Sequence, residues 1–478
     1  MISKEKLEKI SDVIYEIPKN FRTDMNVPAR IYTDEQMLDL IMQDRSLDQA
    51  VNVATLPNIL KYSLAMPDIH QGYGFPIGGV AAIEWDKGVI SPGGVGYDIN
   101  CGVRLLTSQL SKPEIDKKFN DLIDVLYQTI PSGVGKGGKL KVTEAELDQV
   151  LAKGLDWCIA QGFATKNDKE HCEENGRLEN ADPDKISATA KKRGSDQIGT
   201  LGSGNHFLEI QYVAKIFEPD IAKSYGLCAN QIVVMIHTGS RGLGHQTCTD
   251  YIRVLNQKLG EWKYQLPDRE LIYAPLDSKE GKAYFAGMSA AANYAWVNRQ
   301  YLTYLTRQVF HDEFKQDLKL VYDVAHNIAK KEEYEINGKQ TKVCLHRKGA
   351  TRAFGPQNSY LPADYKKVGQ PVLIPGSMGT SSFVLAGTQQ AEQETFASVC
   401  HGAGRKMSRS AAKRQVSGQQ IQQELAQRGI LVRCASYADI AEEAPLAYKD
   451  IDNVVNIVVK AGLAKKVAQM YPLGVVKG

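Results

Sequence analysis

Three apolar runs of strand length each meet a histidine where they open into a loop. HFLEIQYV begins on His206 after the loop GTLGSGN, QIVVMIH ends on His237 before TGSRGLG, and LKLVYDVAH ends on His326. Buried strands are rigid mounts, and ligands gather in the crevice outside strand ends. A fold that pairs these runs carries their histidines toward a common edge. One histidine so placed is an ordinary structural residue. Three of them, with further candidate ligands, favour a metal site.

Asp98 and Cys101 supply those further candidates, in the segment SPGGVGYDINCGVRLL. Glycines on both sides let the backbone turn sharply and bring a carboxylate and a thiolate to one point. Such a pair can share one metal ion or bridge two. It can equally be a tight turn with a capping aspartate and a buried cysteine. A mixed Cys, His and Asp set suits Zn, Mn, Fe or Co, and the residues alone do not choose among them. None of the eight cysteines forms a C-x-x-C pair, which argues against a zinc ribbon. His70, in MPDIHQGYGFPIGG with Asp68, suits a substrate contact or support behind the ligands.

The rest of the chain reads as one large α/β catalytic domain over 1–478, because no repeat, linker or composition break divides it. A helix is predicted over Thr33–Asp44, strands in tight loops from Ala65 to Leu106, and mainly polar helices from Pro113 to Lys192. AYFAGMSAAANYAWVNRQYLTYLTRQVF has the alanines and aromatics of a buried helix. HCEENGRLENADPD reads as a surface loop with His171 and Cys172 solvated, so Cys172→Ala is expected to change little. The end reads as a helix, IDNVVNIVVKAGLAKKVAQM, and a short tail. No apolar run is long enough to span a bilayer and the first residues lack a signal-peptide pattern, so a cytoplasmic protein is expected. The net charge of +3 demands no nucleic-acid partner; any such contact needs a local basic groove.

A second chemistry is written around His401, in CHGAGRKMSRSAAKR. If a helix begins near Gly404, Arg405 and Arg409 share a face. Cations in a first helical turn oppose the helix dipole unless an anion sits nearby. A glycine-rich helix start with arginines suits phosphate, although a solvated basic helix has the same composition. PGSMGTSS offers backbone N–H groups without side-chain bulk, as a phosphate or nucleobase loop or as a plain hairpin. Neither a Walker A sequence nor a dinucleotide fingerprint is present. A neutral imidazole attacks phosphorus competently, and a divalent metal polarises the phosphate under attack.

GGVGYDINCGVR, GTLGSGNHFLE, IHTGSRGLGH, DVAHN, HRKGATRA, PGSMGTSS, HGAGR and PLGVVKG together resemble the RtcB family of RNA ligases, in that family's order from about Met66 to Gly478. The resemblance implies a single α/β domain of mixed sheets with surrounding helices and a deep polar pocket. It implies ligation of RNA 3′-phosphate or 2′,3′-cyclic phosphate ends to 5′-hydroxyl ends, in tRNA splicing or RNA repair, with GTP and two Mn²⁺ ions. It makes His401 the nucleophile that takes GMP, and Asp98, Cys101, His206, His237 and His326 the manganese ligands. It assigns guanosine and phosphate contacts to Asn205, His206, Phe207, Leu208, Glu209, His326, Asn327, Pro375, Gly376, Ser377, Met378, Ser382, His401, Gly402, Ala403, Gly404, Tyr448 and Lys477. Archease is the activating partner the family implies. RNA backbone contacts are expected from Lys191, Lys192 and Arg193, and from Arg347, Lys348, Arg352, Arg405 and Arg409, with Asp68 near the reacting phosphate. The rival readings are a metal-dependent phosphodiesterase or phosphatase with His401 as general acid, and a non-catalytic RNA-binding module.

Overall fold

Alternation along the three histidine-bearing runs decides where they go. Ile232, Val234 and Ile236 face one apolar cluster, while Val233 and Met235 between them face another. A strand with both faces apolar belongs inside a sheet covered on both sides. The computed structural model, which describes residues 2–478, places it there. An eight-stranded sheet runs in the order Lys319–Ala325, Gly102–Ser111, Gln231–Thr238, Phe207–Ile216, Ala464–Lys477, Ser382–Gly387 and Pro371–Ile374, with Leu431–Cys434 beside Ala464–Lys477. Only that last pairing is parallel.

Register then gathers the candidates. Gly102 lies opposite both Thr238 and Ala325, and Phe207 lies opposite both His237 and Lys477. Cys101, His206, His237, His326 and Lys477 therefore share one end of the sheet. A one-residue slip would turn every side chain to the wrong face, so burial on both faces pins this arrangement.

A seven-stranded sheet follows the order Glu8–Ser11, Ile14–Ile17, Ala29–Tyr32, Ile59–His70, Ile77–Glu84, Lys339–Lys348 and Asn327–Ile336. It is mixed, with Ala29–Tyr32 and Ile59–His70 parallel. His326 is the single residue between a strand of one sheet and a strand of the other. A short ribbon, Ala350–Arg352 with Ser398–Cys400, leads directly into His401. One apolar cluster includes residues from Ile2 to Val476 and joins both sheets.

The predicted buried helix spans Lys279–Phe314. Ser278 caps it by accepting from Gly281 N (3.0 Å), and Lys315 ends it in the left-handed region. It packs on strands of both sheets, and its polar middle ties down the site loops. Asn298 Oδ1 accepts from Gly199 N (2.7 Å) and Thr200 N (3.1 Å). Arg299 donates to Asn100 O (2.7 Å) and Thr238 O (3.0 Å), the residues adjoining Cys101 and His237. Asp323 binds Arg299 and Arg104 (both 2.8 Å), and all three side chains are fully buried.

Three expectations are corrected. The C-terminal tail is no tail: Ala464–Lys477 is a fourteen-residue strand inside the sheet, with a register shift at Pro472–Gly474 that accommodates the proline. HCEENG is not a solvated loop. His171 is buried between Asn167 O (2.9 Å) and Asp364 (2.9 Å), and Cys172 packs beside Asp323. Glu173 and Glu174 bind buried Lys330 (2.7 and 3.0 Å), so the acidic run is one side of an internal ion network. Buried Cys172 is therefore a poor neutral control, whereas Cys228 is exposed. The early helix forms over Glu35–Ile41, capped by Asp34 on Met37 N (2.8 Å), inside the expected range.

Candidate active site

The turn before strand Gly102–Ser111 is fixed from several directions. Asn100 adopts φ 51°, and its N–H donates to Asn327 O (2.7 Å). Cys101 N donates to Asp98 O (3.0 Å). A Cβ on Gly102 would lie 2.2 Å from Val324 O, so only glycine lets the neighbouring strand approach here.

Five side chains converge at this end of the sheet. Cys101 Sγ lies 3.4 Å from His206 Nε2 and 3.3 Å from His237 Nε2. His237 Nε2 lies 3.3 Å from His326 Nε2, and His206 Nε2 lies 2.9 Å from Asp98 Oδ2. Two groups of potential ligands result: Cys101, His237 and His326, and Asp98, Cys101 and His206, each within 4.8 Å. Cys101 belongs to both, which is the arrangement two neighbouring cations sharing a thiolate require.

The donor chemistry fits metal ions. His206 Nδ1 faces Leu201 O (3.0 Å), so it carries the proton and leaves Nε2 free as a ligand. Burial, with neighbouring charges, holds His237 and His326 well below the ordinary imidazole value, so both are neutral. Burial, then the Asp98 charge, pushes the Cys101 thiol well above its usual value. A thiol placed there ionises when a cation compensates it. The Nδ1 atoms of His237 and His326 are buried without partners.

His401 joins this cluster from the end of the two-stranded ribbon. Its ring centroid is 4.9 Å from that of His326. Asp68 Oδ2 accepts from His401 Nδ1 (2.5 Å), His401 N (2.9 Å) and Gly402 N (3.3 Å). Burial opposes ionisation of Asp68, but the charge and hydrogen bonds of His401 outweigh it and hold the carboxyl below its usual value. With Nδ1 occupied, Nε2 carries the reactive lone pair. Buried Lys449 donates to Pro67 O (3.1 Å) and Ile69 O, on either side of Asp68, and its own N–H donates to Gly404 O (2.9 Å). Sequence reasoning missed Lys449; the partners of its side chain lie 380 or more residues away, and no local pattern marks them.

A cavity of about 290 Å³ lies over these groups. Asp98, Cys101, His237, His326 and His401 line it, with Asn205, Phe207, Asn327, Pro375–Met378, Gly402–Gly404, Tyr448 and Lys477. Metal-type ligands, a polarised imidazole and a nucleotide-sized hollow thus share one space.

The model of the family described as tRNA-splicing ligase RtcB matches residues 49–478. The chain belongs to the RtcB family. A tRNA-splicing ligase RtcB of Thermococcus kodakarensis is 55% identical over 477 residues, with 99% of each chain covered. Those of Archaeoglobus fulgidus and Methanococcus maripaludis are 52% and 49% identical, covering 99% of this chain and 99% and 100% of theirs. No helix among the described residues is long and apolar enough to cross a membrane.

Not every residue carried over from the RtcB family lines the cavity. His206, Leu208, Glu209 and Ser382 lie outside its lining. Leu208 is fully buried in the core. Gln211 Nε2 bridges Glu209 (2.7 Å) and Ser382 Oγ (3.0 Å), and Ser382 accepts from Gly376 N (3.1 Å), so this trio sits behind the Pro375–Met378 loop.

Burial raises Glu209 to about 7, and its Oε1 has no partner. The folded state then binds a proton more tightly than the unfolded chain, so stability falls as pH rises from about 4.5 through 7. Glu209→Gln is expected to be more stable than the parent at pH 8 by ~3 kcal/mol without nucleotide, and equal to it near pH 4.5. Urea unfolding across that range checks this; a pH-independent difference would contradict it.

The arginines are rearranged most. No helix begins at Gly404; Ser408 caps a helix that starts at Arg409. Arg405 and Arg409 meet through Glu443, at 3.2 and 3.1 Å, and Arg405 also reaches Tyr448 OH (3.2 Å). The anion demanded by their placement is thus partly a protein carboxylate. Arg347 is not a surface contact: it is fully buried and doubly bonded to Glu332 (2.6 and 2.9 Å). Arg352 is buried on Glu174. Lys348 lines the cavity while donating to Tyr73 O (2.5 Å) and Phe75 O (3.2 Å), and burial lowers it to about 7. Lys191 pairs with Asp148 (2.6 Å), whereas Lys192 and Arg193 are exposed and have no ion-pair partner among the described residues.

Proposed function

We propose that this chain is a GTP- and Mn²⁺-dependent RNA ligase that joins RNA 3′-phosphate or 2′,3′-cyclic phosphate ends to 5′-hydroxyl ends in tRNA splicing or RNA repair. The observation that carries this reading is the pairing of His401 Nδ1 with buried Asp68, 4.9 Å from His326, in the cavity that both ligand groups open into. An imidazole held at Nδ1 by a carboxylate presents Nε2 as a nucleophile beside a nucleotide-sized hollow, as a nucleotidyl carrier requires.

His401 Nε2 attacks the α-phosphorus of GTP, forming an N–P bond as pyrophosphate departs. Asp68 stabilises the charge that develops on the ring. An oxygen of the RNA 3′-phosphate then attacks the same phosphorus, releasing His401 and leaving an RNA end capped by GMP. The 5′-hydroxyl attacks the RNA phosphorus, and GMP leaves as the new phosphodiester forms. A cyclic phosphate is opened by water before the second step. Activation is needed because a bare phosphate monoester expels no good leaving group, whereas GMP departs readily. Asp98, Cys101, His206, His237 and His326 would hold the Mn²⁺ ions, which would supply charge neutralisation at the phosphates. Asn205, Phe207, Asn327, the Pro375–Met378 loop, Tyr448 and Lys477 would hold the nucleotide. Glu209 and Ser382 act from behind that loop, reaching the base only if it opens toward them. RNA and GTP are the partners in this reading, with archease as an activator and the cytoplasm as the setting.

The test is an end-joining assay. RNA with a cyclic phosphate and RNA with a 5′-hydroxyl are incubated with protein, GTP and Mn²⁺. A joined product that requires GTP is expected. A 3′-phosphate released without joining would favour the phosphodiesterase, and RNA binding without either product would favour the non-catalytic module.

A further inference from the structure

The reading above needs an RNA backbone held near the cavity, and burial removes Arg347 and Arg352 from that task. Unpaired cations beside the cavity lie elsewhere. Residues 131–143, PSGVGKGGKLKVT, carry Lys136, Lys139 and Lys141 and no acidic residue. All three lysines are exposed, and none has an ion-pair partner among the described residues. Val134 at the tip is 79% exposed, the most open large apolar side chain among the described residues. Two of its four glycines, Gly135 and Gly137, are exposed and let an anion approach the backbone closely.

This loop is fastened to the wall of the site. Gly133 N donates to Gly202 O (2.9 Å), Leu201 N to Pro131 O (3.0 Å), and Gly138 N to Asp196 O (2.5 Å). Gly202 lies three residues before Asn205, which lines the cavity. A Cβ on Gly478 would lie 2.3 Å from Gly133 N, so the loop also abuts the residue after Lys477. The segment that receives it follows directly on Lys192 and Arg193, which are exposed and have no ion-pair partner among the described residues, Arg193 donating to Gln246 (2.9 Å). Asp196 is the one exposed carboxylate on the segment from Lys192 to Gly204.

We infer that the loop 131–143 is a clamp for the RNA phosphate backbone outside the cavity, with Lys136, Lys139 and Lys141 as its contacts. The inference rests on the ligase reading for its substrate. Phosphate contacts of this kind carry no base preference and set the register of the strand rather than its chemistry. The flexible glycine backbone suits an RNA end whose sequence varies, and Val134 offers an apolar surface to an unstacked base.

The test replaces Lys136, Lys139 and Lys141 together by glutamine in the full chain. A control variant replaces exposed Lys6, Lys87 and Lys339, on or beside the seven-stranded sheet. RNA binding by fluorescence anisotropy, GMP attachment from GTP, and joining kinetics are measured on both. For the loop variant, RNA affinity and KM for RNA should weaken on the order of tenfold at physiological salt, and the salt slope should flatten by about 2. Attachment of GMP and kcat at saturating RNA should match the parent, and the control should match it throughout. Unchanged RNA affinity and salt slope would overturn the clamp. Loss of GMP attachment would also overturn it, because the loop would then act on the cavity. If the parent joins no RNA, the ligase reading fails, while the anisotropy measurement still decides whether the loop binds a phosphate backbone.

Discussion

Cys101→Ala is expected to weaken metal binding severely and to take GMP attachment down with it. Cys101 is the one residue common to both ligand groups, so its loss leaves His237 with His326, and Asp98 with His206. Two ligands hold a divalent ion far less firmly than three, and neither remaining pair contains a thiolate. Metal affinity should fall on the order of 10²-fold or more, and GMP attachment with it. The side chain is small and the change leaves little cavity, so the fold should survive. Metal analysis of the purified variant and isothermal titration with Mn²⁺ read the effect. Full metal occupancy with normal activity would remove Cys101 from the site. Cys228→Ala, at an exposed position, is the matched control.

The second large effect is on stability. Asp323→Asn removes the charge that two fully buried guanidiniums, Arg104 and Arg299, share. Arg104 also reaches Gln300 and Thr303, and Arg299 reaches Asn100 O and Thr238 O. Breaking one partner of a buried ion pair leaves an uncompensated charge, at a cost of about 3 to 5 kcal/mol. Because Arg299 grips the residues beside Cys101 and His237, metal affinity should fall in the same variant. Urea unfolding gives the first number and metal titration the second. A midpoint within experimental error of the parent would show that the network is dispensable.

These effects mark where the sequence was readable. The three histidine-bearing runs and the Asp98–Cys101 turn could be placed because strand ends and glycine turns are local signals. The register that unites them follows from apolar faces that the sequence displays. His401 was legible from its glycine-rich neighbourhood, but its partner was not. Asp68 reads as a substrate contact or as support behind the ligands, and only the packing of the ribbon against strand Ile59–His70 puts it on His401 Nδ1, 333 residues away.

Charged residues were misplaced for the same reason. Arg347, Arg352, Glu173 and Glu174 look solvated in a local window, yet each meets an opposite charge from another strand or loop. Local polarity signals exposure only when no opposite charge is brought to meet it. The final strand was missed because IDNVVNIVVK sets a helical period that the apolar residues of AGLAKKVAQM extend. Gly462, at φ 73°, ends it.

The central claim is that His401 Nε2 carries GMP. Incubation with α-labelled GTP and Mn²⁺, followed by denaturation, tests it directly. The parent should retain label that acid releases and alkali does not, as a histidine phosphoramidate behaves, and His401→Ala should retain none. Equal labelling of His401→Ala, or no label on metal-replete parent protein that still joins RNA, would contradict the account.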